Sequence, residues 1–319
     1  AKKGAFTSLF GLTKEIDLRA VGKKALESLI LSGAMDALEG HRAQMAGALD
    51  MAVQYAQTAQ MNAAKGLSSL FGETGGAPSL EPALPHAEPW ARSVVLKHEH
   101  ELLGFYVSGH PLDAFQVEAR TFATTTIGKL AEAPPDETPQ EDKGWGRDRG
   151  PSHRLCGILT DVQRRTTKSG KPIVFATLED YSGQAELTLF AREFDRVQSY
   201  LNVDEVVLVK GTVELRGGSV RLVVQDVMPM WKVREQMIKS IVLRVNLERA
   251  EPQHISTLKT LCEENRGTCK LYFDLESALL PQPQRVRSRL FVVEPTPALM
   301  QGVVKLFGAP NVSLLEAEA

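Results

Sequence analysis

Cysteine is scarce: Cys156, Cys262 and Cys269 are the only three in 319 residues. Their number is odd and no two stand in C-x-x-C spacing. This argues against a disulfide framework and a zinc site and leaves buried free thiols. Long apolar runs are missing too. No stretch approaches the ~20 residues a membrane span requires, and no charged-then-apolar leader opens the chain. The protein therefore reads as cytosolic, with no membrane partner. Charge of one sign is also lacking, because 37 Lys and Arg face 39 Asp and Glu for a formal net charge of -2. A nucleic-acid role would have to rest on local patches. Catalytic patterns are absent as well. The chain has no G-x-x-x-x-G-K-[ST] phosphate loop, no H-E-x-x-H, no G-x-S-x-G elbow and no Asp-x-Asp pair for two metal ions. The reading is a chain with no catalytic residue, no metal site and no cofactor of its own.

What is present is a chain long enough for two or three domains at roughly 150 residues each. Its 43% hydrophobic and 24% charged residues are ordinary for globular protein and exclude disorder throughout. Ala rather than Met at position 1 reads as a processed product or a piece of something longer. Two Gly/Pro-rich tracts, Gly72 to Pro89 and Ala133 to Pro151, read as linkers with too little apolar surface to offset ordering.

Before the first linker the pattern is helical. Val21, Ala25 and Leu29 recur at four-residue steps with Leu26 and Ile30 beside them, and Ser32-Gly33-Ala34 breaks that helix. Met45, Leu49, Val53 and Ala56 stripe a second helix. Between the linkers, Val95, Leu102, Leu103 and Tyr106 predict another amphipathic helix, stopped at Gly109-His110-Pro111. The run His98-Glu99-His100-Glu101 suggests a metal cluster. Adjacent helical residues point about 100° apart, however, and only His98 and Glu101 share a face, so a solvated helix face is the better reading.

After Pro151 the period becomes two. Strands are expected over Arg154 to Arg165, Ile173 to Glu179, Ala185 to Leu189, Val207 to Leu215 and Ser219 to Val227, with a short helix through Phe194, Val197 and Leu201 after the third. This is the order of an OB-fold, a five-stranded Greek-key barrel, and Gly157 and Gly211 fall mid-strand where a small barrel coils sharply. The last residues read βαββαβ, ferredoxin-like in outline. The fold class expected is α+β and multidomain: a helical, helix-hairpin-helix-like front, an OB-fold barrel and a small α/β C-terminal domain. The expected boundaries are 1–66 helical, 67–72 a docking peptide, 73–92 a linker, 93–130 helical, 131–152 a linker, 153–231 the barrel and 232–319 the C-terminal domain.

Two binding signals stand out. Arg164, Arg165, Lys168 and Lys171 lie in the loop joining the first two barrel strands, with no acid from Val162 to Leu178. In OB-folds this loop and the adjacent sheet face bind oligonucleotides, basic groups tracking phosphates and aromatic rings stacking on bases. Phe175 and Phe190 are the candidate stackers, Phe190 on the polar side of its strand. A bland alternative is that Phe190 caps the barrel and the charges form an ordinary solvated hairpin; Arg154 to Met230 carries ten basic and ten acidic residues. The second signal is Leu67-Ser68-Ser69-Leu70-Phe71-Gly72, two large apolar residues beside a linker, which suits a docking peptide. Its alternative is packing on the front helices.

Three strings resemble the C-terminal part of the bacterial replicative DNA polymerase III alpha subunit, a C-family polymerase. They are Leu26 to Asp36 (LESLILSGAMD), Leu103 to Leu112 (LGFYVSGHPL) and Ala176 to Gly183 (ATLEDYSG). The resemblance implies that the front is the latter part of a tandem helix-hairpin-helix module contacting duplex backbone, its upstream glycine hairpin lying outside this chain. Leu67, Leu70 and Phe71 fall where the family carries its sliding-clamp motif, with Leu67 in place of the family's Gln. The barrel is implied to contact single-stranded template, and the final domain to bind the tau subunit of the clamp loader. The family's catalytic regions lie upstream. The expected role is thus a non-catalytic segment tethering DNA synthesis to the beta sliding clamp, single-stranded DNA and tau, in the bacterial cytoplasm at the nucleoid. The alternatives are a stand-alone OB-fold single-strand binder and a tRNA-binding OB domain of a synthetase fragment.

Overall fold

The computed structural model describes residues 6–64, 81–132, 151–216 and 219–316. It divides into two compact units, Ala1–His110 and Pro111–Ala319.

The first unit is helical. α1 (Leu9–Glu15) starts at Ser8, whose hydroxyl accepts from the Gly11 N–H at 2.9 Å. α2 (Lys23–Leu31), α3 (Arg42–Ala64) and α4 (Arg92–Leu103) follow. α2 buries Leu26 and Ile30 and leaves Ala25 and Leu29 exposed, so within the helix the neighbours of the predicted four-residue stripe face the core, while Val21, ahead of the helix, packs against it. On α3, Met45, Leu49 and Ala56 are buried as expected, and Ala48 and Ala52 add a small-residue face against which α1 packs. The first linker does not stay clear of this core. Residues 81–91 form no helix or strand, yet Leu84 packs against it and Pro85 O accepts from Gln44 Nε2 at 3.3 Å.

α4 differs from expectation. It ends at Leu103, where Gly104 takes φ +78°, and Leu102 and Leu103 lie exposed; Leu96 and Glu99 form its buried face. Burial of Glu99 is possible because Arg42 Nη1 donates to its Oε1 at 2.8 Å while its Oε2 accepts from the N–H groups of Val107 and Ser108 at 2.8 and 2.9 Å. A charge is tolerated inside a protein when paired and hydrogen-bonded in this way. The same guanidinium holds Asp36 in a fork at 2.8 and 2.6 Å and donates to Leu31 O at 3.3 Å. Burial pushes the Glu99 carboxyl up, but the two backbone donors and Arg42 outweigh it and hold it below the usual carboxylate range. His98 and Glu101 approach to 3.8 Å as the same-face pair.

The second unit opens with a 3-10 turn (Pro111–Phe115), α5 (Gln116–Phe122) and α6 (Ile127–Glu132). The barrel follows: β1 (Ser152–Thr166), β2 (Pro172–Asp180), β3 (Gly183–Phe190), α7 (Ala191–Val197), β4 (Val206–Arg216) and β5 (Ser219–Pro229). Its strands close in the order β1-β2-β3-β5-β4, the five-stranded barrel the sequence order foretells. Closure depends on one long bent strand, since β1 pairs with β4 through its first half and with β2 through its second. Gly211 sits at a register shift in β4, and a Cβ there would lie 2.6 Å from Val223 O, so only glycine fits.

The C-terminal part carries α8 (Met230–Met237), β6 (Ile238–Asn246), α9 (Pro252–Glu264), β7 (Arg266–Glu276), β8 (Gln284–Val293), α10 (Pro297–Phe307) and β9 (Val312–Glu316). From β6 onward the element order is βαββαβ, but the topology is not ferredoxin-like. The sheet runs β8-β7-β6-β9, with β6 and β7 adjacent and parallel. In a split βαβ another strand would lie between them. Barrel and sheet share one core, in which Cys156 and Leu208 from the barrel wall meet Val117 and Phe122 of α5, Val233 of α8 and Ile241 and Leu243 of β6. A buried Arg234–Glu118 pair at 2.5 Å ties α8 to α5. All three cysteines are free and buried. Burial, with the charges of Glu118 and Asp180, pushes Cys156 up to about 12. Burial and the charge of Glu263 take Cys262 to about 11, and burial with Glu294 does the same for Cys269. Among the described residues no helix is long and apolar enough to cross a membrane.

Candidate nucleic-acid interface

The alternation of β1, β2 and β3 decides which side chains leave the barrel. Val174, Ala176 and Leu178 of β2 and Ala185, Leu187 and Leu189 of β3 fill its interior. Their neighbours face outward, and register aligns them in rows: Arg165 opposite Ile173 opposite Phe190, then Gln163 opposite Phe175 opposite Thr188. Phe175 and Phe190 are therefore diagonal neighbours on one outer face. Phe175 is 39% exposed and Phe190 is half-buried at the start of α7, so the more open platform is Phe175.

The arginines part company. Arg165 lies beside Phe175, with its Cζ 5.8 Å from the ring centroid. A relay positions it: Arg165 Nη2 donates to Gln163 Oε1 at 2.8 Å, and Gln163 Nε2 donates to Asp161 Oδ2 at 2.9 Å. Arg164, one residue earlier, pairs with buried Val174 and so turns to the other side of the strand, where its Cζ lies 5.7 Å from the Phe194 ring. Period two separates adjacent residues in this way, and a loop-level reading could not distinguish them. Lys168 and Lys171 are exposed in the hairpin turn, which is closed by Thr167 N donating to Lys171 O at 2.9 Å and Lys171 N donating to Thr167 Oγ1 at 3.1 Å, with Gly170 at φ +77°.

The structure thus brings Arg165, Phe175 and Phe190 together, places the two lysines in the adjoining turn and sends Arg164 elsewhere. Gln163 and Thr188 share the face and were not singled out by sequence; the strand register is the signal that finds them. An exposed ring with a guanidinium over it pairs a stacking surface for a base with a cation for its phosphate. Leu67, Leu70 and Phe71 lie outside the described residues.

The strings that carry the family resemblance have structural work instead. Asp180 is buried and accepts from Ile127 N at 2.8 Å, Ser182 N at 2.7 Å and Gly183 N at 3.1 Å, fastening the β2–β3 turn to α6. Asp36 and Gly33 of the first string, and Val107 and Ser108 of the second, surround the Arg42–Glu99 pair.

Comparison with known proteins agrees with this architecture. Residues 1–45 match the family described as a helix-hairpin-helix motif, and residues 153–230 the family described as an OB-fold nucleic acid binding domain. DNA polymerase III subunit alpha of Pasteurella multocida (strain Pm70) is 30% identical over 273 residues, which is 84% of this chain and 22% of that protein. The Vibrio cholerae subunit of the same name is 29% identical over 324 residues (98% and 26%), and that of Escherichia coli K12 28% over 320 residues (98% and 26%). The chain spans about a quarter of the length of these curated relatives. Aligned with them along nearly all of its length, and carrying a helix-hairpin-helix motif ahead of an OB-fold barrel, the chain belongs to the bacterial DNA polymerase III alpha-subunit family, as a C-terminal segment.

Proposed function

We propose that this chain is a non-catalytic, nucleic-acid-binding segment of a replicative polymerase subunit, holding single-stranded DNA on the outer face of its barrel. The observation that carries this is the exposed Phe175 ring with the Arg165 guanidinium over it, next to a hairpin turn bearing Lys168 and Lys171. In this reading bases stack on Phe175 and at the edge of Phe190, while Arg165 and the lysines follow the phosphates. Contact is sequence-tolerant, because every base offers a π-face and nothing here forms a bidentate base reader. A barrel with ten basic and ten acidic residues binds weakly by itself.

Weak contacts suit a tether. Through the resemblance of their sequence positions, Leu67, Leu70 and Phe71 are proposed to dock on the beta sliding clamp, and the C-terminal domain on the tau subunit of the clamp loader. Joined contacts raise effective concentration without tight binding at any one. The test is fluorescence anisotropy of labelled oligo-dT against the chain at several salt concentrations. Micromolar binding with a logarithmic salt slope of about -2, from three cationic contacts at about 0.7 each on a single strand, is expected. Nanomolar binding would instead mark a stand-alone single-strand binder, and no binding at low salt would refute the strand-holding role. For the clamp, Phe71→Ala should weaken binding at least tenfold; an unchanged affinity would remove that assignment.

A further inference from the structure

β8 is the outermost strand of the terminal sheet, and among the described residues no strand pairs with its free edge. Such an edge offers unpaired main-chain groups to another chain. Its chemistry is one-sided. From Ser277 to Val293 there is no Asp or Glu, while Arg285, Arg287 and Arg289 stand at alternate positions. Asp274 holds Arg285 in a fork at 2.7 and 2.8 Å. Arg287 and Arg289 are exposed to solvent or nearly so, opposite a strand that adds exposed Lys270.

Aliphatic side chains interleave with these cations. Leu290 is 87% exposed and Val286 and Val292 are each 42% exposed, with Leu279 of the preceding loop at 92%. The register explains Leu290. Val292 lies opposite Lys270 and Arg287 opposite Tyr272, so Ser288 to Phe291 bulge out against the single Leu271. Phe291 N donates to Ser288 Oγ at 3.0 Å and closes the bulge. Phe291 turns into the core, and Arg289 and Leu290 project outward.

We infer that the β8 edge is a docking site for an extended, acidic polypeptide segment of a partner protein, which adds as a strand beside Gln284–Arg287, pairs its carboxylates with Arg287 and Arg289, and covers Leu290 with an apolar side chain. Charge complementarity names the sign of the partner, and the edge names its conformation. Nucleic acid fits this surface less well, since the strand's one aromatic ring packs against the core and bases gain little from exposed aliphatics. The inference goes beyond the strand-holding role above, assigns a protein contact within the C-terminal domain to one edge and one partner chemistry, and stands whether or not the barrel binds DNA or tau docks on this domain.

The test uses the full chain and a labelled ten-residue peptide alternating Glu and Val, followed by anisotropy. Peptide alternating Lys and Val and labelled oligo-dT are titrated in parallel. The Glu peptide should bind with an affinity that falls as salt rises, and the Lys peptide should not. The double substitution Arg287→Glu with Arg289→Glu should weaken the Glu peptide at least tenfold, and Leu290→Ser at least threefold, with oligo-dT affinity unchanged. All three side chains are solvent-facing, and circular dichroism checks that each variant folds. Absence of Glu-peptide binding, equal binding of both peptides, or variants without effect would overturn the inference. So would loss of oligo-dT binding in the charge-reversed variant, which would reassign these arginines to phosphate.

Discussion

Replacing Arg42 by Met tests the physical account of the first unit most directly. The substitution keeps an unbranched apolar stem and removes the guanidinium. Asp36 loses its fork but its side chain is 51% exposed, so water replaces the partner at small cost. Glu99 is 0% exposed and keeps two backbone donors, yet its charge is left without a counterion. Removing one partner of a buried pair costs about 3–5 kcal/mol, and that should be the loss at pH 7. The sign of the pH dependence follows from linkage. In the wild type Glu99 lies below its ordinary value, so its contribution is present above the unfolded carboxylate pKa and is lost as pH falls through the lower folded value. Without Arg42 one of the groups holding Glu99 down is gone and it takes a proton at higher pH than in the wild type, so the gap between variant and wild type should narrow as pH falls through the carboxylate range. Urea unfolding followed by Trp90, in a background with Trp145→Phe and Trp231→Phe, reads this unit. A loss under about 1 kcal/mol, or one that does not shrink on acidification, would show that the Glu99 charge does not depend on Arg42. Arg42→Lys should recover little, because an ammonium cannot reach Asp36, Glu99 and Leu31 O together.

Gly33→Ala should destabilise the same unit, since Gly33 has φ +84° and a Cβ there would lie 2.0 Å from Arg42 Nη2; urea midpoints equal to wild type would place the Arg42 side chain elsewhere. Phe175→Ala should cost about 1–3 kcal/mol of oligo-dT binding, whereas Arg164→Ala should cost less than Arg165→Ala; the reverse order in anisotropy titrations would move the interface to the Phe194 side of β1. The native protein should resist thiol reagents at pH 8, with Cys156 pushed to about 12 and Cys262 and Cys269 to about 11, and yield three labelled thiols in denaturant by mass spectrometry. Rapid native labelling at any one would contradict its burial.

Much of the barrel was legible in the sequence because strand alternation and Gly/Ser turns are local signals. Val174, Ala176 and Leu178 go in and Phe175 goes out by periodicity alone, and the free, buried cysteines follow from their number and spacing. The helical front was legible as helices but not as faces. Leu29 and Leu102 fit a stripe and are exposed, while Glu99, which no hydrophobic pattern selects, is buried because a partner 57 residues away in sequence neutralises it. The site divided in the same way. Sequence placed the basic hairpin and the aromatic rings within one segment, but only strand register put Arg165 with Phe175 and Arg164 with Phe194. The terminal sheet's β8-β7-β6-β9 order and the core it shares with the barrel were decided by tertiary structure alone, since the same βαββαβ order admits several pairings and only side-chain packing at long sequence separation selects among them.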